Sequence, residues 1–169
     1  MTFYGVIMTG DEIERKFLVS GDGWRKGARG TFCRQGYLVA SDDRVVRVRV
    51  AGEKACLTIK GRKTGLSCPE YEYPLPVAEA KDMLERICLR PFIEKIRYVL
   101  DFKGMSWEID EFTGENEGLV IAEVELEQEH QMVELPEWVG REVSFDPKYW
   151  NMNLVNHPYR RWSPEMKMR

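Results

Sequence analysis

Hydrophobic and polar residues alternate with a period of two along most of the chain, as they do in β-strands that have one apolar and one polar face. Short turn signals such as Ser41-Asp42-Asp43 and Lys103-Gly104 separate these runs, and connections of this length favour antiparallel hairpins. The alternating runs cover residues 12–19, 31–39, 44–50, 54–60, 68–75, 93–101, 105–112 and 119–127. The pattern predicts a mainly β chain with antiparallel strands.

Helical spacing is confined to three shorter stretches. After Pro76, the side chains of Val77, Ala80, Leu84 and Ile87 fall on one face of a helix, and proline is favoured in the first turn. A second helix is predicted around residues 147–156 and a shorter one near 127–134. The fold class is therefore α+β, dominated by strands.

The composition favours one domain over residues 1–169. A chain of 169 residues with 43% hydrophobic and 31% charged residues is long enough to bury one core. Residues 1–10 are a candidate frayed extension, and residues 157–169 form a C-terminal tail without periodicity. The glycine-rich segment 20–30 is interpreted as a mobile loop.

Charge and cysteine usage limit the partners and the compartment. The net charge of -3 gives no general attraction to nucleic acid or to anionic membranes. Cys33, Cys56, Cys68 and Cys88 form no CxxC pair, which favours reduced thiols, and no apolar stretch approaches the roughly 20 residues of a membrane span. We expect a cytoplasmic protein with a small-molecule partner, neither nucleic acid nor a membrane, and leave a homodimer open.

The polar faces of the predicted strands carry like charges side by side. In EIERKFLV, Glu12, Glu14 and Lys16 share one face, opposite Ile13 and Phe17. Like charges two apart on a strand repel by a few tenths of a kcal/mol, roughly, so such clusters require neutralisation. The acids on these faces are Glu12, Glu14, Glu70, Glu72, Glu108, Asp110, Glu123 and Glu125, and the bases are Lys16, Arg47, Arg49, Lys60, Lys95 and Arg97.

Each of the two charge sets matches one half of a metal-chelated polyphosphate. Carboxylate clusters suit hard cations such as Mg²⁺ or Mn²⁺, and lysine and arginine clusters suit phosphate oxygens. Eight strands closing into a barrel with the charged faces inward would place all these groups around one lumen. Alternatively the charged faces meet water, and the alternation of side chains does not decide between the two.

The segments EIERK, RVRV, TIKG, YEY, EKIRY, EID and AEVEL, in this order, resemble the CYTH superfamily, the triphosphate tunnel metalloenzymes. The resemblance covers residues 12–155, and its signature E-x-E-x-K strand is matched by Glu12, Glu14 and Lys16. It implies an eight-stranded antiparallel barrel that closes around a tunnel, with helices outside. It also implies Mg²⁺ or Mn²⁺, two ions in the active complex, and phosphoryl transfer to water.

The resemblance also implies residue roles. Lys16 and Tyr37, the latter in RQGYL as in short bacterial triphosphatases, would be catalytic. The predicted phosphate-binding residues are Lys16, Arg47, Arg49, Lys60, Lys95 and Arg97. The predicted metal ligands are Glu12, Glu14, Asp110, Glu123 and Glu125. The roles of Glu70 and Glu72 are left open, and Glu108 is expected to support the ligands.

The predicted function is metal-dependent hydrolysis of the terminal phosphate of inorganic triphosphate or a related compound. A class IV adenylyl cyclase is the alternative, followed by a thiamine triphosphatase or a noncatalytic module that binds polyphosphate or nucleotide. GRKTG, residues 61–65, lacks the glycines of a phosphate-binding P-loop and is set aside. His130 and His157 lie outside the charged strands and are not expected to be catalytic.

Overall fold

A computed structural model describes residues 8–168, with side chains from residue 10 onward. Nine strands form a single sheet in this part of the chain. The strands are β1 (Met8–Val19), β2 (Gly30–Ala40), β3 (Val45–Ala51), β4 (Lys54–Lys60), β5 (Ser67–Leu75), β6 (Ile93–Phe102), β7 (Met105–Phe112), β8 (Val120–Glu125) and β9 (Val139–Glu142). The helices are α1 (Val77–Ile87), α2 (Asn151–Asn156) and α3 (Pro164–Met168).

Eight of the strands close into an antiparallel barrel, as predicted. The sheet order is β5-β4-β3-β2-β6-β7-β8-β1-β9, and a further pairing of β5 with β1 completes the ring. β1 pairs with β5 over Met8–Ile13, and β9 takes up the same edge of β1 at Phe17 and Val19. β9 therefore pairs with the part of β1 that β5 leaves open. As a result β1 is paired along both of its edges.

The apolar faces of the strands point outward and are covered by other segments. Ala80 and Leu84 of α1 pack on Val48 of β3, and Gly36 lets the end of α1 approach β2, because a Cβ there would lie 2.7 Å from the Cβ of Cys88. On the opposite side, Phe17 and Trp107 belong to a second buried cluster beneath the segment that leads into β9. The charged faces are therefore left to line the interior.

A third apolar cluster occupies one end of the barrel. Tyr37, Ile93 and Ile121, from three different strands, pack with Leu154 of α2 and with Trp162. Trp162 stacks edge-on against Tyr149, with ring centroids 5.1 Å apart. The chain after residue 146 therefore forms a lid over this end of the lumen, and the predicted C-terminal tail contributes a buried side chain to it.

The sequence-based assignments differ from the structure in several places. The helix predicted near 127–134 is wrong: the segment contains only turns and irregular chain, and Glu129 accepts a hydrogen bond from the backbone N–H of Leu66 instead of facing a helical neighbour. The helix predicted over 147–156 is split into a 3₁₀ turn, Pro147–Tyr149, and α2, because Trp150 between them is extended. β9 was not predicted.

The predicted extensions and loops also acquire structure. Residues 1–7 of the candidate extension lie outside the described residues, and residues 8–10 open β1. In the segment interpreted as mobile, Trp24 is 2% exposed and packs on Tyr98. All four cysteines are free thiols. In the described range, no helix has both the length and the apolar character that crossing a membrane requires.

Candidate active site

The charged side chains predicted to share a site meet in the barrel lumen. They lie on alternate positions of seven of the barrel strands, and antiparallel register brings acids of one strand opposite bases of the next, as where Lys16 faces Glu123 and Arg97 faces Asp110. Thr58 faces Glu72 in the same way across β4 and β5. The structure thus joins most of the predicted charged residues into two ion-pair networks, one on each side of the lumen, with β1 contributing to both.

The first network lies on β1, β6, β7 and β8. Arg97 donates to both carboxylate oxygens of Asp110, at 2.7 Å each, and lies 3.3 Å from Glu123. Lys95 is fully buried against Asp110. Lys16 pairs with Glu123 and lies 3.7 Å from Glu14. In addition, the guanidinium group of Arg97 pairs with Glu108.

The second network lies on β1, β3, β4 and β5. Lys60 pairs with Glu12 and lies 3.3 Å from Glu70. Arg49 lies 3.1 Å from Glu72, which also accepts a hydrogen bond from the hydroxyl of Thr58 at 2.9 Å. Likewise, Arg47 lies 3.7 Å from Glu70 and donates to the Thr58 hydroxyl at 3.2 Å.

The ion pairs keep most lumen groups charged despite burial. Burial alone would raise the pKa of Glu123, but Lys16, Lys95 and Arg97 outweigh it and hold that pKa well below its ordinary value. Burial would lower the pKa of Lys16, but Glu123 and Glu14 raise it. The lumen therefore presents ionised carboxylates and protonated amines together.

Glu12 and Glu70 form a carboxyl pair of a different kind. Burial raises the pKa of Glu12, and the neighbouring Glu70 raises it further. The pKa of Glu70 is lowered instead, since Lys60 and a hydrogen bond from Glu12 outweigh its burial. Glu12 is therefore the weaker acid of the two, and a further positive charge beside it would lower its pKa.

Tyr37 lies at the end of the lumen that α2 covers, the α2 end. Its ring is buried, and its hydroxyl accepts a hydrogen bond of 3.0 Å from the side-chain amide of Gln35. Burial raises the pKa of Tyr37 although Arg47, Lys60 and Lys16 act in the opposite direction. The phenol therefore stays protonated near neutral pH and can donate a hydrogen bond.

The donor chemistry of the lumen fits a hard divalent cation. Glu14 faces Glu125 directly across β1 and β8, and Glu108 faces Glu123 across β7 and β8; like charges in these positions repel. The pKa of Glu125 is raised by partial burial and by Glu12, Glu108 and Glu14. A cluster of carboxylates that repel one another is stabilised by a cation with oxygen ligands.

The lumen carboxylates are spread over the two ion-pair networks. Among residues 8–168, no three histidine, cysteine, aspartate or glutamate side chains stand close enough together to hold a metal ion. Most of the lumen acids are drawn to lysine and arginine instead, Asp110 most completely, since Lys95 and Arg97 occupy both of its oxygens. Glu123 also contacts a cation through each oxygen, but its side chain is 12% exposed, whereas that of Asp110 is fully buried. Glu12, Glu14, Glu123 and Glu125 are thus the better candidates for ligands.

The lumen opens at the side of the α2 lid. A cavity of about 120 Å³ is lined by Glu12, Lys16, Tyr37, Arg47 and Lys60 on the barrel, and by Lys63, Trp150 and Met152 at its rim. A wider depression of about 370 Å³ lies at the β3–β4 hairpin and includes Arg49. Both openings thus give access to phosphate-binding candidates.

Four side chains of the site region were not singled out in the sequence. Gln35 and Thr58 lie on the same strand faces as Tyr37 and Lys60, so the alternation pattern contained them. Ser144 hydrogen-bonds the backbone of Lys16 from the chain after β9, and Lys63 reaches the cavity from a turn. For Ser144 and Lys63 no periodic signal exists, because they lie outside the barrel strands.

Comparisons with known proteins agree with this geometry. A sequence model of the CYTH domain matches residues 10–149. An inorganic triphosphatase of Acetivibrio thermocellus is 54% identical over 151 residues, which cover 89% of this chain and 97% of that protein. The crystal structure of the inorganic triphosphatase NE1496 is 33% identical, covers 85% of this chain and 93% of its own, and superposes with a TM-score of 0.61.

One further likeness concerns the fold alone. The crystal structure of a putative adenylate cyclase from Bacillus halodurans is 18% identical and superposes with a TM-score of 0.56, covering 71% of this chain and 83% of that one. At this identity the barrel is shared, and no activity follows from it.

Proposed function

This chain belongs to the CYTH domain family, and on that basis we propose that it is a metal-dependent hydrolase of inorganic triphosphate. The observation that carries the proposal is its 54% identity, over nearly the full length of both chains, with an inorganic triphosphatase. The lumen supports it chemically, because it offers six cations for phosphate oxygens beside a cluster of carboxylates. A small-molecule triphosphate is the partner that fits.

The cations of the lumen would bind the substrate by exchanging carboxylate partners for phosphoryl oxygens. Arg47, Arg49 and Arg97 offer planar guanidinium groups that hold two oxygens at once, and Lys60 and Lys95 add point charges. Glu12, Glu14 and Glu123, released by this exchange, and Glu125 beside them would hold Mg²⁺ or Mn²⁺, two ions in our proposal. When bound, the ions would supply Lewis acidity toward the phosphoryl oxygens and a water of lowered pKa.

Asp110 has a different role in our proposal from the one predicted from the sequence. Because its two oxygens accept hydrogen bonds from Lys95 and Arg97, it positions these two cations toward the lumen. In a similar way Glu108 holds Arg97, and Glu72 holds Arg49. Glu70 lies close to both Lys60 and Arg47.

Lys16 and Tyr37 would act at the phosphoryl group that is transferred. The ammonium group of Lys16 stabilises the charge that develops on the phosphoryl and leaving oxygens. The hydroxyl of Tyr37 remains protonated and donates a hydrogen bond in the same region. No side chain serves as a covalent nucleophile, since water is the acceptor.

The proposal is tested by product analysis. The protein is incubated with Mg²⁺ or Mn²⁺ and, separately, with tripolyphosphate, ATP or thiamine triphosphate, and orthophosphate, pyrophosphate and cyclic AMP are measured. We expect orthophosphate from tripolyphosphate and no cyclic AMP from ATP. Lys16→Met is expected to lower kcat by at least about 100-fold, whereas Lys81→Met, on the exposed face of α1, leaves it unchanged.

Two results would contradict the proposal. Cyclic AMP with pyrophosphate would identify a cyclase, and tight binding of tripolyphosphate without any product would identify a binding module. Hydrolysis of thiamine triphosphate with a higher kcat/KM than tripolyphosphate would keep the reaction class but change the substrate.

A further inference from the structure

The turn between β4 and β5 places one lysine at the rim of the lumen. The backbone of this turn is closed by two hydrogen bonds between Thr64 and Ser67, of 2.8 and 3.0 Å, and Gly65 adopts a left-handed φ of 62° that the turn requires. Gly61 adds a bond of 2.9 Å to the carbonyl of Pro69. Lys63 therefore projects from a fixed backbone.

The side chain of Lys63 is directed to the α2 end of the lumen. It lines the same cavity as Lys16, Tyr37 and Lys60, and its ammonium nitrogen lies 5.6 Å from the ring centre of Trp150. Trp150 in turn donates a hydrogen bond to the carbonyl of Ser144. The aromatic ring thus holds the half-buried lysine against the α2 side of the opening.

Lys63 differs from the other lumen cations in its charge balance. Lys16, Lys60 and Lys95 each pair with a carboxylate, whereas within residues 8–168 Lys63 forms neither an ion pair nor a hydrogen bond through its ammonium group. Burial lowers its pKa, and Lys16 and Lys60 lower it further, against the opposite effects of Glu14 and Glu12. The positive charge of Lys63 is therefore held beside those of Lys16 and Lys60, and Glu14 and Glu12 offset it only partly and without direct contact.

A second polar group at this opening also lacks a partner. The side-chain oxygen of Asn151, the first residue of α2, is buried without a hydrogen bond in the described structure, and Asn151 lines the cavity beside Lys63. Buried polar atoms without partners are rare in folded proteins. An amide oxygen accepts hydrogen bonds, so this atom suits a donor such as a water molecule, and the attraction for an anion at this opening comes from Lys16, Lys60 and Lys63.

We propose that Lys63 is a further substrate-binding residue, which contacts oxygens of the phosphoryl group lying at the α2 end of the lumen. The inference rests on the proposed function and deepens it. Because Lys63 has no carboxylate to release, its contact with a phosphoryl group costs no ion pair, unlike the contacts of the other cations. A bound phosphoryl group would also remove the repulsion among Lys16, Lys60 and Lys63.

The test compares Lys63→Met with Lys63→Arg and with the neighbouring Arg62→Met. Arg62 is a matched control because it lies in the same turn, is exposed, and pairs with Asp43 at 2.8 Å, away from the lumen. For Lys63→Met we expect KM for tripolyphosphate to rise about tenfold with kcat within about threefold of the wild type. Lys63→Arg should restore most of the affinity, and Arg62→Met should leave KM unchanged.

Thermal stability separates substrate binding from a structural role. Since Lys63 is a poorly compensated charge, Lys63→Met should melt at the wild-type temperature or above it. An unchanged KM in Lys63→Met, or a loss of stability that accounts for the loss of activity, would overturn the inference. An equal rise of KM in Arg62→Met would overturn it too, because it would indicate a general charge effect.

Binding of tripolyphosphate, measured by calorimetry on the same proteins, distinguishes failure of this inference from failure of the proposed function. If the wild type binds tripolyphosphate without hydrolysing it, the proposed function is wrong, and a tenfold weaker dissociation constant in Lys63→Met still supports the contact. Equal dissociation constants would refute the contact. If the wild type does not bind tripolyphosphate at all, both proposals are wrong.

Discussion

Asp110 and Glu125 show how two acids on one barrel surface can have different tasks. Asp110 is fully buried and accepts hydrogen bonds from Lys95 and Arg97. Glu125 lies at the end of β8 and is more exposed than Asp110, and partial burial and three neighbouring carboxylates raise its pKa. The first acid compensates buried cations, whereas the second adds to a surplus of negative charge that a metal ion would relieve.

Replacing Asp110 should therefore lower the stability of the fold, whereas replacing Glu125 should weaken metal binding. Asp110→Asn leaves Lys95 and Arg97 without their carboxylate and is expected to lower the free energy of unfolding by about 3–5 kcal/mol. Glu125→Gln removes a repelled charge, and its stability should match the wild type within about 0.5 kcal/mol. The Mn²⁺ concentration for half-maximal activity should instead rise at least about tenfold in Glu125→Gln.

Urea denaturation in the presence of a chelator measures the first effect, and titration of activity with Mn²⁺ measures the second. Equal destabilisation by both replacements would show that the two acids have the same structural role. An unchanged Mn²⁺ requirement in Glu125→Gln would remove Glu125 from the proposed ligands.

At the residue scale, the sequence was sufficient to identify which side chains line the lumen but not how they pair. Alternation along each strand placed the fourteen charged residues on one set of faces. Their partners depend on strand order around the barrel: Lys60 meets Glu12 only because β5 closes the ring against β1. Lys63 was missed because it lies in a turn, where alternation carries no information about direction.

At the scale of elements, the eight barrel strands were predictable, and β9 was not. Each barrel strand is long enough to show alternation over several residues, and the helix after Pro76 has a clear apolar face. β9 has only four residues, Val139–Glu142, and no alternating pattern. It forms a strand because β1 offers it an edge that β5 leaves open. The two paired segments lie more than 100 residues apart in the sequence.

β9 and the residues after it hold in place the backbone of β1, the strand that carries Lys16. The hydroxyl of Ser144 accepts a hydrogen bond of 2.9 Å from the backbone N–H of Lys16 and donates one of 2.7 Å to Glu142. Glu142 also accepts two hydrogen bonds from Arg15, at 3.0 and 2.6 Å. This short element therefore fixes the position of Lys16 from outside the barrel.

The contribution of Glu142 to stability should depend on pH. Hydrogen bonds from Arg15 and Ser144 lower the pKa of Glu142 from its ordinary value of 4.5. A depressed pKa in the folded state means that the stabilisation is present above pH 4.5 and is lost as the pH falls through the folded value. Glu142→Gln should therefore be less stable than the wild type by about 1 kcal/mol at pH 7, and the difference should shrink below pH 4.5.

Chemical denaturation at a series of pH values between 7 and 3 provides the measurement. Glu117→Gln is a suitable control, because Glu117 is exposed and its side chain has no hydrogen bond or ion pair in the described structure. A stability difference for Glu142→Gln that stays constant across this range would refute the electrostatic explanation and indicate a packing effect.

At the scale of the whole molecule, the barrel is built from strand pairing and apolar packing between its own segments. The ring is closed by backbone ladders between β1 and β5 and around the remaining strands, and outer apolar clusters cover it. Inside, the strand faces carry eight acids against six bases, and Lys63 adds a further positive charge at the rim. The repulsion among the excess negative charges is small compared with the stabilisation that packing and backbone hydrogen bonds give the barrel.

Removal of divalent ions should consequently abolish hydrolysis while leaving the fold intact. In excess chelator we expect no release of orthophosphate from tripolyphosphate, an unchanged far-ultraviolet circular dichroism spectrum, and a melting temperature within about 5 °C of the metal-loaded protein, the shift that about 1–2 kcal/mol produces in a domain of this size. Activity should return on addition of Mg²⁺ or Mn²⁺, because the carboxylates that bind them are held by strands that never unfolded. Unfolding on chelation, or a fall in melting temperature well beyond this range, would show instead that the ion is part of the structure and that the internal ion pairs do not suffice to neutralise the lumen.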